Sequence, residues 1–157
     1  IYIIGQDQDE FLQEPSLRLK ENLKIFLNEK RMLSDSIDIF SATIVNFGIF
    51  FDVVLNDNTN KSTALSEIRR DLFSQLKLSP PEIGQYFSIG EVEKQINKMP
   101  MVSRVNSVRV DTKISPQHAN VRYDVNSNIS QDGGLIFIPD NFIWEIKYEN
   151  DITGRIQ

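Results

Sequence analysis

The chain has 157 residues, with 22 acidic against 17 basic side chains and a net charge of −5. Hydrophobic residues make up 40%, enough for the core of one domain, or of one domain with a small appendage. The absence of cysteine excludes disulfides, thiolate zinc sites and cysteine nucleophiles. The acidic balance argues against nonspecific binding to nucleic acid or anionic membranes, and no apolar run approaches the ~20 residues of a membrane helix.

Tyr2-Ile3-Ile4-Gly5 reads as a short strand, followed by a polar, acidic loop over residues 6 to 15. Asp7, Asp9 and Glu10 there are expected to be solvated rather than to hold a cation. Leu19, Leu23, Phe26 and Leu27 form an apolar stripe at helical spacing, in a helix beginning near Ser16. From Ile37 to Leu55 the period changes to two, and Val45, Phe47, Ile49, Phe51, Val53 and Leu55 share one face. Two strands with a bend between Ser41 and Asn46 are expected, then turn chemistry over Asn56 to Asn60. Leu65, Ile68, Leu72 and Leu76 mark a second helix, ended by Ser79-Pro80-Pro81.

Gly84 opens the most informative stretch. A turn leads to Ser88 and Glu91, spaced as a capping box, and Ile89, Val92, Ile96 and Met99 make one helical stripe. Pro100 stops that helix, and Val102 to Val110 reads as a strand. The order is a ferredoxin-like βαββααβ sheet with helices on one face, an α+β domain over residues 1 to 113. Residues 114 to 157 read as a small C-terminal β extension. It comprises a short strand at Val121 to Val125 and a hairpin of Leu135 to Ile138 with Phe142 to Tyr148, turning at Pro139-Asp140-Asn141.

Few residues suggest chemistry. His118, the sole histidine, lies in a Pro/Gln/Asn loop without ligand spacing and reads as a plain loop residue. Asn56, Asn58, Asn60 and Glu67 scan as a calcium loop, but the first position lacks a carboxylate and Lys61 replaces the turn glycine. No catalytic residue, metal site or cofactor site is assigned. Phe47-Gly48-Ile49-Phe50-Phe51 offers an alternative, a nucleic-acid-binding module of the RNA-recognition type whose strand aromatics stack on bases. Asn46 stands where that module carries a basic residue, so core or protein interface is the preferred reading. Phe142, Trp144, Ile146 and Tyr148 alternate with Ile143, Glu145 and Lys147 on the C-terminal hairpin, and Phe142, Trp144 and Tyr148 are the protein-interface candidates.

The succession Gly84, Phe87-Ser88-Ile89, Glu91, Pro100, Val102 and Val105 resembles the C-terminal part of the baseplate-J-like family. Its members build the baseplate wedges of contractile-tailed bacteriophages. Upstream, Tyr2-Ile3-Ile4-Gly5, the Leu17 to Leu27 helix and Arg31-Met32-Leu33-Ser34-Asp35 are similar to that family's strand, helix and strand entry. The likeness covers roughly residues 1 to 112, and Pro100-Met101 stands where the family often has glycine. The resemblance implies a non-enzymatic structural subunit of the virion tail, assembled in the host cytoplasm and requiring no cofactor. Its implied partners are a second copy of itself, in a dimer or ring, and other wedge proteins, not nucleic acid or membrane. Ile1 at the first position is what a piece of a longer polypeptide would show.

Overall fold

The computed structural model describes residues 1–30, 36–57 and 59–157, so Arg31 to Asp35 and Asn58 lie outside the described residues. The expected strand entry at Arg31 to Asp35 falls there. The architecture is mixed α+β, with three α-helices among the described residues and several small sheets around one central strand.

That strand, β5 (Thr43–Leu55), follows β1 (Tyr2–Ile3), β2 (Gly5–Gln6), β3 (Leu12–Gln13), α1 (Leu17–Asn28) and β4 (Phe40–Ser41). Val45, Phe47, Ile49, Phe51 and Val53 are at most 1% exposed, as their period-two spacing requires. On one side β5 pairs antiparallel with β7 (Val102–Thr112), with register shifts near Asp52 and Val54. On the other it pairs parallel with two later segments, β9 (Phe142–Glu145) against Thr43–Asn46 and β10 (Ile152–Ile156) against Ile49–Val53. Six residues on that edge face two on β5, and the surplus folds into a 3₁₀ turn at Glu149–Asp151.

These pairings depart from a ferredoxin-like sheet. Tyr2–Ile3 and Phe40–Ser41 form their own two-stranded parallel pair, and β2 with β3 another, so neither joins the central ladder. The expected C-terminal hairpin is not formed either. Leu135–Ile136 (β8) pairs with Phe87–Ser88 (β6), while β9 pairs with β5. The physical reason is the size of the alternative: a short hairpin is marginal alone, and β5 presents 13 residues of ladder and a large apolar face. Val121 to Val125 is not a strand, although Thr112 Oγ1 donates to the Tyr123 carbonyl at 2.7 Å and holds it beside the end of β7.

Two helices seal the inner face. In α2 (Lys61–Leu78), Ala64, Ile68 and Leu72 are buried, and the Asn60 side chain caps the start by accepting from the N–H groups of Ser62 and Thr63. Asn60 thus serves the helix rather than a calcium loop. In α3 (Ile89–Asn97), the stripe Ile89, Val92 and Ile96 is buried, with Met99 just beyond the helix end 8% exposed. Ser88 Oγ accepts from the Glu91 N–H at 3.1 Å, the expected half of the capping box. Glu91 does not reach back. Its carboxylate lies 3.7 Å from Lys94, and the Gly134 carbonyl instead accepts from the N–H groups of Ile89 and Gly90. The turn before this unit depends on Gly84, whose φ of +78° is a conformation that side-chain-bearing residues rarely adopt.

Replacing Ser88 with Ala should cost about 1 kcal/mol. Urea unfolding is the measurement; the Gly134 contacts to the Ile89 and Gly90 N–H groups persist in the variant and limit the loss.

Candidate functional site

The three interface candidates do not form a strip. Trp144 is only 7% exposed and packs edge-on against Phe87, with ring centroids 4.8 Å apart, inside the protein's own core. Phe142, half-buried, faces Tyr123 at 6.0 Å. Tyr148 lies past the end of β9 and meets His118 and Phe11 edge-on at 5.4 and 5.3 Å. Two-residue alternation placed Phe142 and Trp144 on one face. That face turns toward the sheet core once β9 pairs with β5.

Exposed apolar side chains are concentrated instead on α1, with Leu78, Tyr86 and Phe137 exposed elsewhere. None of its 12 residues is buried, and Leu17, Leu19, Ile25 and Phe26 are between 51% and 68% exposed. Of the expected stripe, Leu23 and Leu27 are half-buried while Leu19 and Phe26 are exposed. Polar contacts tether the helix: Lys20 Nζ donates to Ser41 Oγ at 3.0 Å, and Lys24 pairs with Asp38 at 3.1 Å. Glu14, beside Lys20, is held below the usual carboxylate range by the Ser41 hydroxyl first and by Lys20 next. Close by, Tyr2 and Phe40 pair at 5.7 Å with about half of each exposed. A helix this short is marginal in water without a packed face.

His118 is not a plain loop residue. Its Nε2 lies 2.9 Å from Asp151 Oδ2, its Nδ1 lies 2.6 Å from Ser115 Oγ, and the His118 and Asp151 side chains are each 9% exposed. With the Nε2 proton directed at the carboxylate, Nδ1 accepts the Ser115 hydroxyl proton, so every polar atom of the ring is satisfied. Asp151 Oδ2 also accepts from the Tyr148 N–H at 3.0 Å. A serine aimed at a histidine beside an aspartate carries the elements of nucleophilic catalysis. The arrangement here is tied to a turn, since the Gln117 N–H bonds to Ser115 Oγ and the His118 N–H to the Ser115 carbonyl. It clasps the 113–119 segment onto the looped-out stretch between β9 and β10. Asp151 is 33 residues from His118, so no local spacing could have announced the pair.

A second clasp centres on Asn46, 1% exposed. Its Oδ1 accepts from the Ala119 N–H at 2.6 Å and its Nδ2 donates to Glu145 at 2.8 Å. The other Glu145 oxygen accepts from the Leu12 N–H. This explains why an amide stands at the head of the aromatic run. It joins β3, β5, β9 and the 113–119 loop, and each buried polar atom has a partner. Phe47 and Phe51 are fully buried, leaving Phe50 alone on the outer face, where the Arg109 guanidinium lies 4.9 Å from its ring centre. Asp52, next outward on β5, accepts from Asn106 at 3.1 Å, Arg155 Nε at 3.1 Å and Gln157 at 3.2 Å. The Asn106 amide foremost, with Arg155 and Gln157, holds its carboxyl below the usual range against burial, which raises it.

Among the described residues no group of three or more His, Asp or Glu side chains is placed to hold a metal ion, and no helix is long and apolar enough to cross a membrane. No protein-family model matches the chain, and no curated protein matches it.

Proposed function

We propose that this chain is a structural assembly module of a contractile-tail baseplate wedge, similar to the C-terminal region of gene product six of T-even-like phages. It works by burying apolar surface against a second copy or neighbouring wedge proteins around the tail hub, without catalysis. The observation that carries the assembly reading is α1, an amphipathic helix with no buried residue and an outward Leu19–Phe26 edge. The motif order from Gly84 to Val105 supports the baseplate context. Exposed apolar patches rimmed by polar residues mark protein contacts.

The test is co-expression with neighbouring wedge proteins, followed by pull-down and light scattering. Wild type should associate, and Leu19→Asp with Phe26→Asp should weaken association by about tenfold or more while leaving the fold intact, since both side chains are exposed. Unchanged association in that variant would sink the assignment to α1. The non-catalytic part has its own check. A fluorophosphonate probe should fail to label Ser115, because its hydroxyl is engaged within the turn. Labelling abolished in both Ser115→Ala and His118→Ala would make the clasp a catalytic site.

A further inference from the structure

Among the described residues, no helix lines the groove on the outer face of the central sheet. Residues paired across the strands place Gly48 with Asp111, Phe50 with Arg109 and Thr153, Asp52 with Arg155, and Val54 with Arg104, all with side chains on this face. Lys113 joins them, since its Cε lies where a Cβ on Gly48 would stand. The face thus gathers Arg104, Arg109, Lys113 and Arg155 against Asp52, Asp111 and, beside Asn46, Glu145, a surplus of one positive charge on a chain whose net charge is −5. Asp52 is engaged by Arg155, whereas Arg104, Arg109 and Lys113 have no ion-pair partner among the described residues. A shallow groove of about 290 Å³ runs between Phe50, Arg109, Lys113 and Thr153.

We infer that this face is a docking surface for an acidic protein segment, whose carboxylates pair with Arg104, Arg109 and Lys113 around the half-buried Phe50. Charge complementarity selects the occupant. Concentrating cations on one face of an acidic molecule orients an acidic partner there and repels it elsewhere, and guanidinium groups bind carboxylates in a planar, two-pronged geometry. Nucleic acid fits less well. Base stacking uses open aromatic faces, but the single outward ring, Phe50, already has the Arg109 guanidinium over it. This surface lies on the sheet rather than on α1, so it stands or falls separately from the α1 contact proposed above.

The experiment uses the full chain and a fluorescein-labelled decaglutamate peptide, read by anisotropy at low and physiological salt. Binding should weaken with salt, and the pair Arg104→Glu with Arg109→Glu should weaken it by about tenfold or more. The matched pair Arg70→Glu with Lys98→Glu, on exposed positions of the helical side, should leave it within about twofold. The inference is overturned if decaglutamate does not bind at low salt, or if both double variants lose it equally. A single-stranded RNA ten-mer bound more tightly than decaglutamate, and released by the Arg104/Arg109 pair, would overturn it in favour of nucleic acid. Self-association of the wild type abolished by that pair would overturn it in favour of a second copy.

Discussion

Truncating Trp144 to Ala should destabilise the fold by about 3–5 kcal/mol, the cost of emptying a large aromatic site in a packed core. The indole stacks edge-on against Phe87 at 4.8 Å, and Phe87 in turn meets Phe47 at 5.8 Å, so one deletion breaks a chain of three aromatic rings. Denaturant unfolding followed by far-UV dichroism measures it, because the variant has lost the only tryptophan. Trp144→Phe sharpens the reading. Trp144 Nε1 is buried without an acceptor, and an unsatisfied donor is itself a penalty of about 1–3 kcal/mol. Phenylalanine removes that donor while keeping a ring against Phe87, so its cost should be well below that of alanine. An interface role for Trp144 predicts the opposite pattern, with Trp144→Ala folded at wild-type stability and weakened only in association.

The difference between Trp144 as core and as interface shows where sequence periodicity stops being informative. The alternation of Phe142 and Trp144 says that one face of a strand is apolar. It does not say which strand lies beside it, and the partner, β5, is about 100 residues away in sequence. Elements with long, clean periods were legible: α2 and α3 with their stripes, the cap at Ser88, and the strands β5 and β7, whereas Asn60 read only as part of a turn. The stripe of α1 was legible too, but its burial was not, since an amphipathic helix reveals an apolar edge and never the chain that covers it. Ile152–Ile156 escaped notice because Gly154 interrupts its Ile-x-Gly-x-Ile alternation, which is the signal that could have found it. His118 and Asp151, like Asn46 and Glu145, are polar partners joined only by tertiary pairing. Arg104, Arg109 and Arg155 looked scattered in sequence, and strand register alone gathers them.

Gly154 also sets the second large effect, since a methyl group there should destabilise the protein by about 1–3 kcal/mol or more, the range for overpacking a tight core. Gly154 pairs with Phe51 across the β10–β5 ladder, and the Phe51 ring lies over the space a side chain would fill. A Cβ at Gly154 would stand far inside contact distance of Phe51 Cε2 and Cζ. The ring has nowhere to go: Phe51 is 0% exposed, and Ile49 and Val53 flank it on the same face at 1% and 0%. Relief therefore requires β10 to leave the sheet, which would strip the cover from that edge of β5 and pull on the clasp at Asp151. Denaturant unfolding of Gly154→Ala gives the cost, and hydrogen exchange at Ile152–Ile156 shows whether β10 detaches first. The steric cause has a direct check in a double-mutant cycle. Phe51→Leu alone is destabilising because it empties core volume. Combined with Gly154→Ala, the smaller side chain makes room for the new methyl group, so the two costs together should fall short of their sum. Strict additivity would mean that the Gly154–Phe51 contact is not what limits residue size on β10.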